Sequence, residues 1–181
     1  MLSDLRRRKF TNYFSILDRS GNGLLGENDL ARIVEGVTAV RGLEPGSEEY
    51  AAMEAAIMAT WTHLMEHADQ DGDNGVSLDE WLATLEATAA DEEKYATYVT
   101  PFAGGVIALL DLDDDGVVGL SEYEKFFEIF GISHEGAEEA FSHLDVRGDG
   151  RVTFDEALER VREFHQSDDP DAPGNWLFGP F

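Results

Sequence analysis

The chain has 181 residues, 43% of them hydrophobic, and a formal net charge of -25. That hydrophobic share excludes a wholly disordered chain, and the charge excludes nucleic acid or an anionic membrane surface as partner, since both repel a polyanion. Cysteine is absent, which removes both a disulfide framework and a thiolate metal site. No apolar run follows the basic cluster Arg6-Arg7-Arg8-Lys9 to make a secretory signal, and no window approaches the about eighteen apolar residues of a membrane span. A cytoplasmic protein with one sizeable core, or two small ones side by side, is expected.

Phe10, Tyr13, Phe14 and Leu17 recur at helical spacing, so one helix leads into the window Asp18 to Asp29. Asp18, Ser20 and Asn22 fall on alternate residues, the carbonyl of Leu24 follows, and Gly23 supplies the positive φ of a sharp bend. Oxygens on alternate residues around a tight turn, closed by an acid at the twelfth place, suit a hard cation with six to eight oxygen ligands. The window reads as an EF-hand calcium loop. Its last place holds Asp29, one methylene shorter than Glu, so a smaller coordination number, weaker calcium selectivity and tolerance of Mg2+ are expected here.

Leu30, Ile33, Val34 and Val37 give the outgoing helix its apolar stripe, and Arg41 to Gly46 carries turn chemistry. Ser47, followed by Glu48 and Glu49, predicts a helix start. The long helix after it has Met53, Ile57, Trp61, Leu64 and Ala68 on its inner face. A second window follows, with Asp69, Asp71, Asp73, the carbonyl of Gly75, Ser77 (directly or through water) and Glu80 as ligands. Its bend is Asn74, which tolerates the left-handed region better than other non-glycine residues. Trp81, Leu82 and Leu85 begin the next helix.

Residues 88–100 have no clean period, and the boundary between two halves is placed there, with Thr100-Pro101 as a cap and first turn. Phe102, Val106 and Leu109 lead into the third window. It aligns Asp111, Asp113, Asp115, the carbonyl of Val117 and Glu122, with Gly116 at the bend and Val118 turned inward. Tyr123, Phe126, Phe127 and Phe130 follow, up to Gly131, and Ser133 restarts a helix with Ala137, Ala140, Phe141 and Leu144 inward. The fourth window offers Asp145, Asp149, the carbonyl of Arg151 and Glu156, but Arg147 stands at a ligand place. A guanidinium has no acceptor and carries permanent positive charge, so it removes a ligand and repels an ion unless it swings out to pair with a neighbouring acid. The fourth hand is expected to keep its shape and brace the third.

The windows start at residues 18, 69, 111 and 145, a repeat of helix, loop, helix. An even number of hands predicts pairs: an all-α, compact fold of four EF-hands with short antiparallel β ladders between paired loops. Leu25 then lies beside Val76 and Val118 beside Val152. The expected division is 1–90 for hands one and two, 91–165 for hands three and four, and 166–181 for a tail. Trp176, Leu177, Phe178 and Phe181 are too apolar for a free terminus, so the tail is expected to dock in the groove between the hands.

On these features the chain resembles the sarcoplasmic calcium-binding proteins and their bacterial relatives of the calerythrin type. The carriers are the first loop with its terminal Asp29, Asp69 to Glu80 followed by Trp81-Leu82, Asp111 to Glu122, the degenerate fourth hand, and the tail from Asp169 to Pro180. The resemblance implies an intracellular calcium buffer with magnesium competing at some sites.

About three calcium ions are expected from loops one to three. They are the partners the chain is built for, on a monomer and with no protein target indicated. A sensor must instead expose a Met-rich groove to a target; Met53, Met58 and Met65 on one helix are the candidates. The related luciferin-binding proteins and photoproteins offer a third reading, which requires an internal cavity. Catalysis lacks support: there is no Cys, and no Ser lies in a Gly-flanked elbow. His63 and His67, four apart on one helix face, have zinc spacing without an evident third ligand.

Overall fold

The computed structural model describes residues 2–181, Thr60 by its backbone alone. Helix α1 (Asp4–Leu17) opens on Ser3, whose hydroxyl accepts from the Arg6 amide, and leads through the first loop and strand β1 (Leu24–Leu25) into α2 (Glu27–Val40). Helix α3 (Glu48–Ala68) begins at Ser47, which accepts from the Tyr50 amide at 3.0 Å, as the hydroxyl-then-acids pattern predicts. The second loop, β2 (Val76–Ser77) and α4 (Leu78–Ala89) complete the second hand.

The segment before the third loop departs from expectation. Helix α5 (Glu92–Lys94) starts at Asp91, whose carboxylate accepts from the amides of Glu93 and Lys94, and it passes through a π-helical turn, Tyr95–Val99, into α6 (Thr100–Leu110). Thr100 is therefore inside a continuous helical run rather than its cap. Pro101 lacks an N–H and crowds the carbonyl one turn back. Widening to π geometry, with the Thr100 amide on the Tyr95 carbonyl, accommodates the ring. The buried stripe beyond it is Ala103, Ile107 and Leu110, and Phe102 is 43% exposed. Strand β3 (Val117–Gly119), α7 (Leu120–Ile129), α8 (His134–Leu144), β4 (Arg151–Thr153) and α9 (Phe154–Gln166) follow.

Both ladders are antiparallel and in the expected register. Leu25 faces Val76 across β1 and β2, and Val118 faces Val152 across β3 and β4. The four inward side chains seed two apolar clusters, one around Phe126, Phe127 and Phe141, the other around Phe10, Phe14 and Trp81. Each cluster borrows from the other end of the chain. Val37 of α2 joins the first and Phe164 of α9 joins the second. Helix α2 crosses α7 closely at Gly36, where a Cβ would lie 2.2 Å from Ile129 Cγ2. Two arginines fasten the halves further. Arg41 donates to the carbonyls of Ala108 (2.6 Å) and Asp111 (2.9 Å) at the end of α6, and Arg19 donates to Phe130 O (2.7 Å) at the end of α7. Cations there satisfy orphan carbonyls and oppose the negative helix end.

The tail folds back as a 3-10 turn, Pro173–Trp176, against α9, where a Cβ on Gly174 would meet Arg160 O at 2.3 Å. Phe178 stacks on Tyr13 at 3.7 Å and touches Phe127 and Phe164 edge-on, so it joins both clusters. Trp176 stacks on His143 at 3.9 Å. The polar anchor is Asn175 with Lys9, both fully buried. Lys9 Nζ donates to Asn175 Oδ1 (2.8 Å), Ser167 O (3.2 Å) and Glu163 O (3.4 Å), and Asn175 Nδ2 donates to Asp169 O and Pro170 O. Three donors thus meet three acceptors. No helix among the described residues is long and apolar enough to cross a membrane.

His165 on α9 is buried against Phe10, Tyr95 and Phe164, with Nδ1 2.8 Å from the Val161 carbonyl, and burial pushes its pKa down to about 4. Its folded pKa lies below the unfolded value near 6.5, so the unfolded chain takes up the proton first as pH falls. Stability is full above pH about 6.5 and is lost toward pH 4, by about 2–3 kcal/mol. Urea titrations in saturating calcium at pH 7 and pH 4.5 are expected to show this loss, and His165→Leu should flatten it. An unchanged slope in the variant would assign the acid sensitivity elsewhere.

Candidate metal centre

The four loops repeat one hydrogen-bond frame, which follows from putting an acid at the first place and a bend at the sixth. In loop one Asp18 accepts from Gly21 N (2.8 Å) and Gly23 N (2.8 Å). In loop two Asp69 accepts from Gly72 N (2.8 Å) and Asn74 N (3.2 Å). In loop three Asp111 accepts from Asp115 N (3.1 Å) and Gly116 N (2.9 Å), and in loop four Asp145 accepts from Gly148 N (2.9 Å) and Gly150 N (2.7 Å). The fifth-place side chain turns back on the seventh-place amide each time: Asn22 on Leu24, Asp73 on Gly75, Asp115 on Val117, Asp149 on Arg151. Gly23, Gly116 and Gly150 take positive φ of 79–83°, and Asn74 reaches 68°, the left-handed bend expected of it.

The twelfth-place acid ties loop to helix. Glu122 Oε1 accepts from Leu112 N (2.7 Å) and Oε2 from Gly119 N (2.8 Å). Glu80 accepts from Gln70 N (2.8 Å), Ser77 N (2.9 Å) and Ser77 Oγ (2.7 Å), and these bonds, those from Ser77 foremost, hold its pKa down to about 2. The Ser77 hydroxyl is thus engaged in aiming Glu80. Asp29 does the same work from a shorter side chain, with Oδ1 on Ser20 N (2.7 Å) and Oδ2 on Gly26 N (3.1 Å). It manages this by sinking to 1% exposure.

Two carboxylate clusters result. Asp69, Asp71 and Asp73 bring oxygens within 4.8 Å of one another, as do Asp111, Asp113 and Glu122. Loop one has two carboxylates at ligand places, Asp18 and Asp29, with Ser20 Oγ 3.1 Å from Asp18 Oδ1 and the Asn22 amide 3.2 Å from the same oxygen. Hard oxygens gathered without a proton or cation repel one another, so this donor set fits a divalent cation of the calcium class.

Loop four supplies its own cation. Arg147 bridges Glu156 through Nε (3.1 Å) and Nη2 (3.1 Å) and reaches Asp149 at 3.3 Å, so it pairs with ligand places of its own loop. Hydrogen bonds from Thr153, then Arg147, depress the pKa of Glu156. Arg151, at the seventh place, reaches across the ladder to Asp115 of loop three at 2.7 Å. Arg147→Asp is expected to add one calcium per chain, counted by isothermal titration. An unchanged count would show that the guanidinium is not what closes this loop.

Outside the loops the structure adds Glu66 to His63 and His67, ligand atoms of all three lying within 4.8 Å of one another. The spacing His-x-x-Glu-His was the available signal for it. The larger omission is a cavity of about 1000 Å³ between the hands, lined by Tyr13, Met53, Trp61, Trp81, Phe126 and Phe178 among others. No single window of sequence encodes its volume.

No family model matches the chain. Calerythrin of Saccharopolyspora erythraea is 24% identical over 165 residues, covering 90% of this chain and 91% of that protein. Among solved structures, the sarcoplasmic calcium-binding protein of amphioxus superposes with a TM-score of 0.75 at 21% identity over 100% of both chains. The coelenterazine-binding protein of Renilla muelleri superposes with a TM-score of 0.76 at 20% identity, over 99% of this chain and 100% of its own. With four loops of one frame, paired in two ladders and closed by a docked tail, the chain has the fold of the sarcoplasmic calcium-binding proteins and is similar in sequence over nine-tenths of its length to calerythrin and to those proteins, consistent with an EF-hand family of that type.

Proposed function

We propose that the chain is a calcium buffer. Calcium would be held in loop two by Asp69, Asp71, Asp73, the Gly75 carbonyl and Glu80, with Ser77 in support. In loop three Asp111, Asp113, Asp115, the Val117 carbonyl and Glu122 would serve. Loop one would use Asp18, Ser20, Asn22, the Leu24 carbonyl and Asp29, with magnesium competing. A bound divalent ion supplies the positive charge that lets these oxygens sit together, so binding and ordering of the loops are coupled. Affinity on the order of 10⁻⁹–10⁻⁸ M belongs to such a role.

The observation that carries this reading is the tail. A sensor opens to offer its groove to a target, whereas here Leu177 and Phe178 already sit between the two clusters and Tyr123 donates to Leu177 O at 3.2 Å. Hydrophobic-dye fluorescence tests it. Calcium is expected to leave the dye signal flat or lower it, and a several-fold calcium-induced rise would favour a sensor.

The cavity favours a second reading, a carrier of a small apolar molecule. About 1000 Å³ walled by aromatics from both halves is room for a drug-sized ligand, and the coelenterazine-binding protein shares the fold. Native mass spectrometry of the calcium-loaded chain separates the two. A bare protein mass supports the buffer, and one small apolar molecule retained per chain supports the carrier.

A further inference from the structure

The structure assigns to the last turns of α3 a second metal site unlike the loops: a transition-ion site formed by His63, Glu66 and His67, of the class that takes Zn2+. The three residues lie at i, i+3 and i+4, one face of one helix. Their ligand atoms are within 4.8 Å of one another, close enough to converge on one ion.

The His67 imidazole is held in the form such an ion needs. His67 Nδ1 lies 2.8 Å from the His63 carbonyl. A carbonyl only accepts, so Nδ1 carries the proton and Nε2 presents a lone pair, with the backbone fixing tautomer and ring orientation as outer partners do in metal sites. The two rings are 4.4 Å apart and both rest on Tyr98, at 4.9 Å from His63 and 5.0 Å from His67. Tyr98 belongs to the π-helical turn, so a second element limits their rotation. All three side chains are exposed, which leaves water free to complete the shell. Two nitrogens, one carboxylate oxygen and a water make the usual open zinc set.

Selectivity follows from ligand chemistry. Imidazole nitrogen prefers zinc, copper and nickel, and all-oxygen loops prefer calcium. The two kinds of site should fill side by side.

The test is isothermal titration of ZnCl2 into the full chain in saturating calcium, which keeps the loops occupied. One zinc per chain is expected. It should weaken ~tenfold or more in His63→Gln and in His67→Gln, and His134→Gln, on α8, should leave it unchanged. Circular dichroism confirms that the variants fold, which their exposure makes the expected result. Three outcomes would overturn the assignment: no saturable zinc binding, equal binding in the double variant His63→Gln/His67→Gln, or zinc that displaces counted calcium one for one.

Discussion

Glu122→Gln is expected to remove one calcium from the chain and to lower its melting midpoint in calcium by about 7–20 °C. The carboxylate is doubly committed, Oε1 to the Leu112 amide at 2.7 Å and Oε2 to the Gly119 amide at 2.8 Å. A carboxamide keeps the size but turns one acceptor into a donor facing a donor, a mismatch of about 1–3 kcal/mol in a part-buried setting. It also removes the negative charge that clusters with Asp111 and Asp113. An ion present at a hundred times its dissociation constant stabilises the folded chain by about 2.7 kcal/mol, and each kcal/mol shifts the midpoint by about 2–4 °C at this size. Calcium counted by titration alongside a thermal scan reads both effects. An unchanged count would mean that Glu122 is not a ligand.

Asn175→Ala is expected to cost about 3–5 kcal/mol and to loosen the tail. Lys9 is buried, which pulls its pKa down to about 8 even with Asp168 drawing it up, so it remains charged at pH 7. Its shortest bond is to Asn175 Oδ1 at 2.8 Å. Removing that acceptor leaves one N–H of a buried ammonium unpaired while Ser167 O and Glu163 O still hold the other two, and an unsatisfied buried donor on a charged group is where the large penalty lies. The same change deletes the two donations that pin Asp169 O and Pro170 O. Iodide should then quench Trp176 more readily, because its stacking on His143 depends on the tail staying down. Adding Lys9→Met to the variant should restore part of the loss, since no ammonium N–H is then left unpaired. A urea midpoint unmoved by Asn175→Ala would show that the apolar contacts of Phe178 hold the tail alone.

Much of the fold was legible because its determinants are local. The twelve-residue spacing of acids, the bend at Asn74 and the ladder partners Leu25 with Val76 all depend on residues near in sequence or on the symmetry of paired hands. The docked tail was legible from its excess of aromatics. What escaped was non-local or sterically specific. The π turn at Tyr95–Val99 answers one proline in a helical run that shows no clean period. Lys9 read only as part of a basic cluster, and only the folded tail, 166 residues away, reveals its partner. Arg147 was legible as a missing ligand and as a cation that could pair with a neighbouring acid, but its partners, Glu156 and Asp149 at ligand places of its own loop, were not. The cavity is a difference between the volume the two hands enclose and the volume their side chains fill.

The central claim is that the oxygen ligands gathered in loops one to three, clustered carboxylates in loops two and three, are stable together only around divalent ions. The most direct test is a calcium titration with counted sites, repeated in millimolar magnesium. Three calcium ions per chain are expected without magnesium, with one of them, in the loop closed by Asp29, shifted to higher calcium when magnesium is present. A chain that holds no calcium at micromolar free ion, with Asp111 and Glu122 intact, would contradict it.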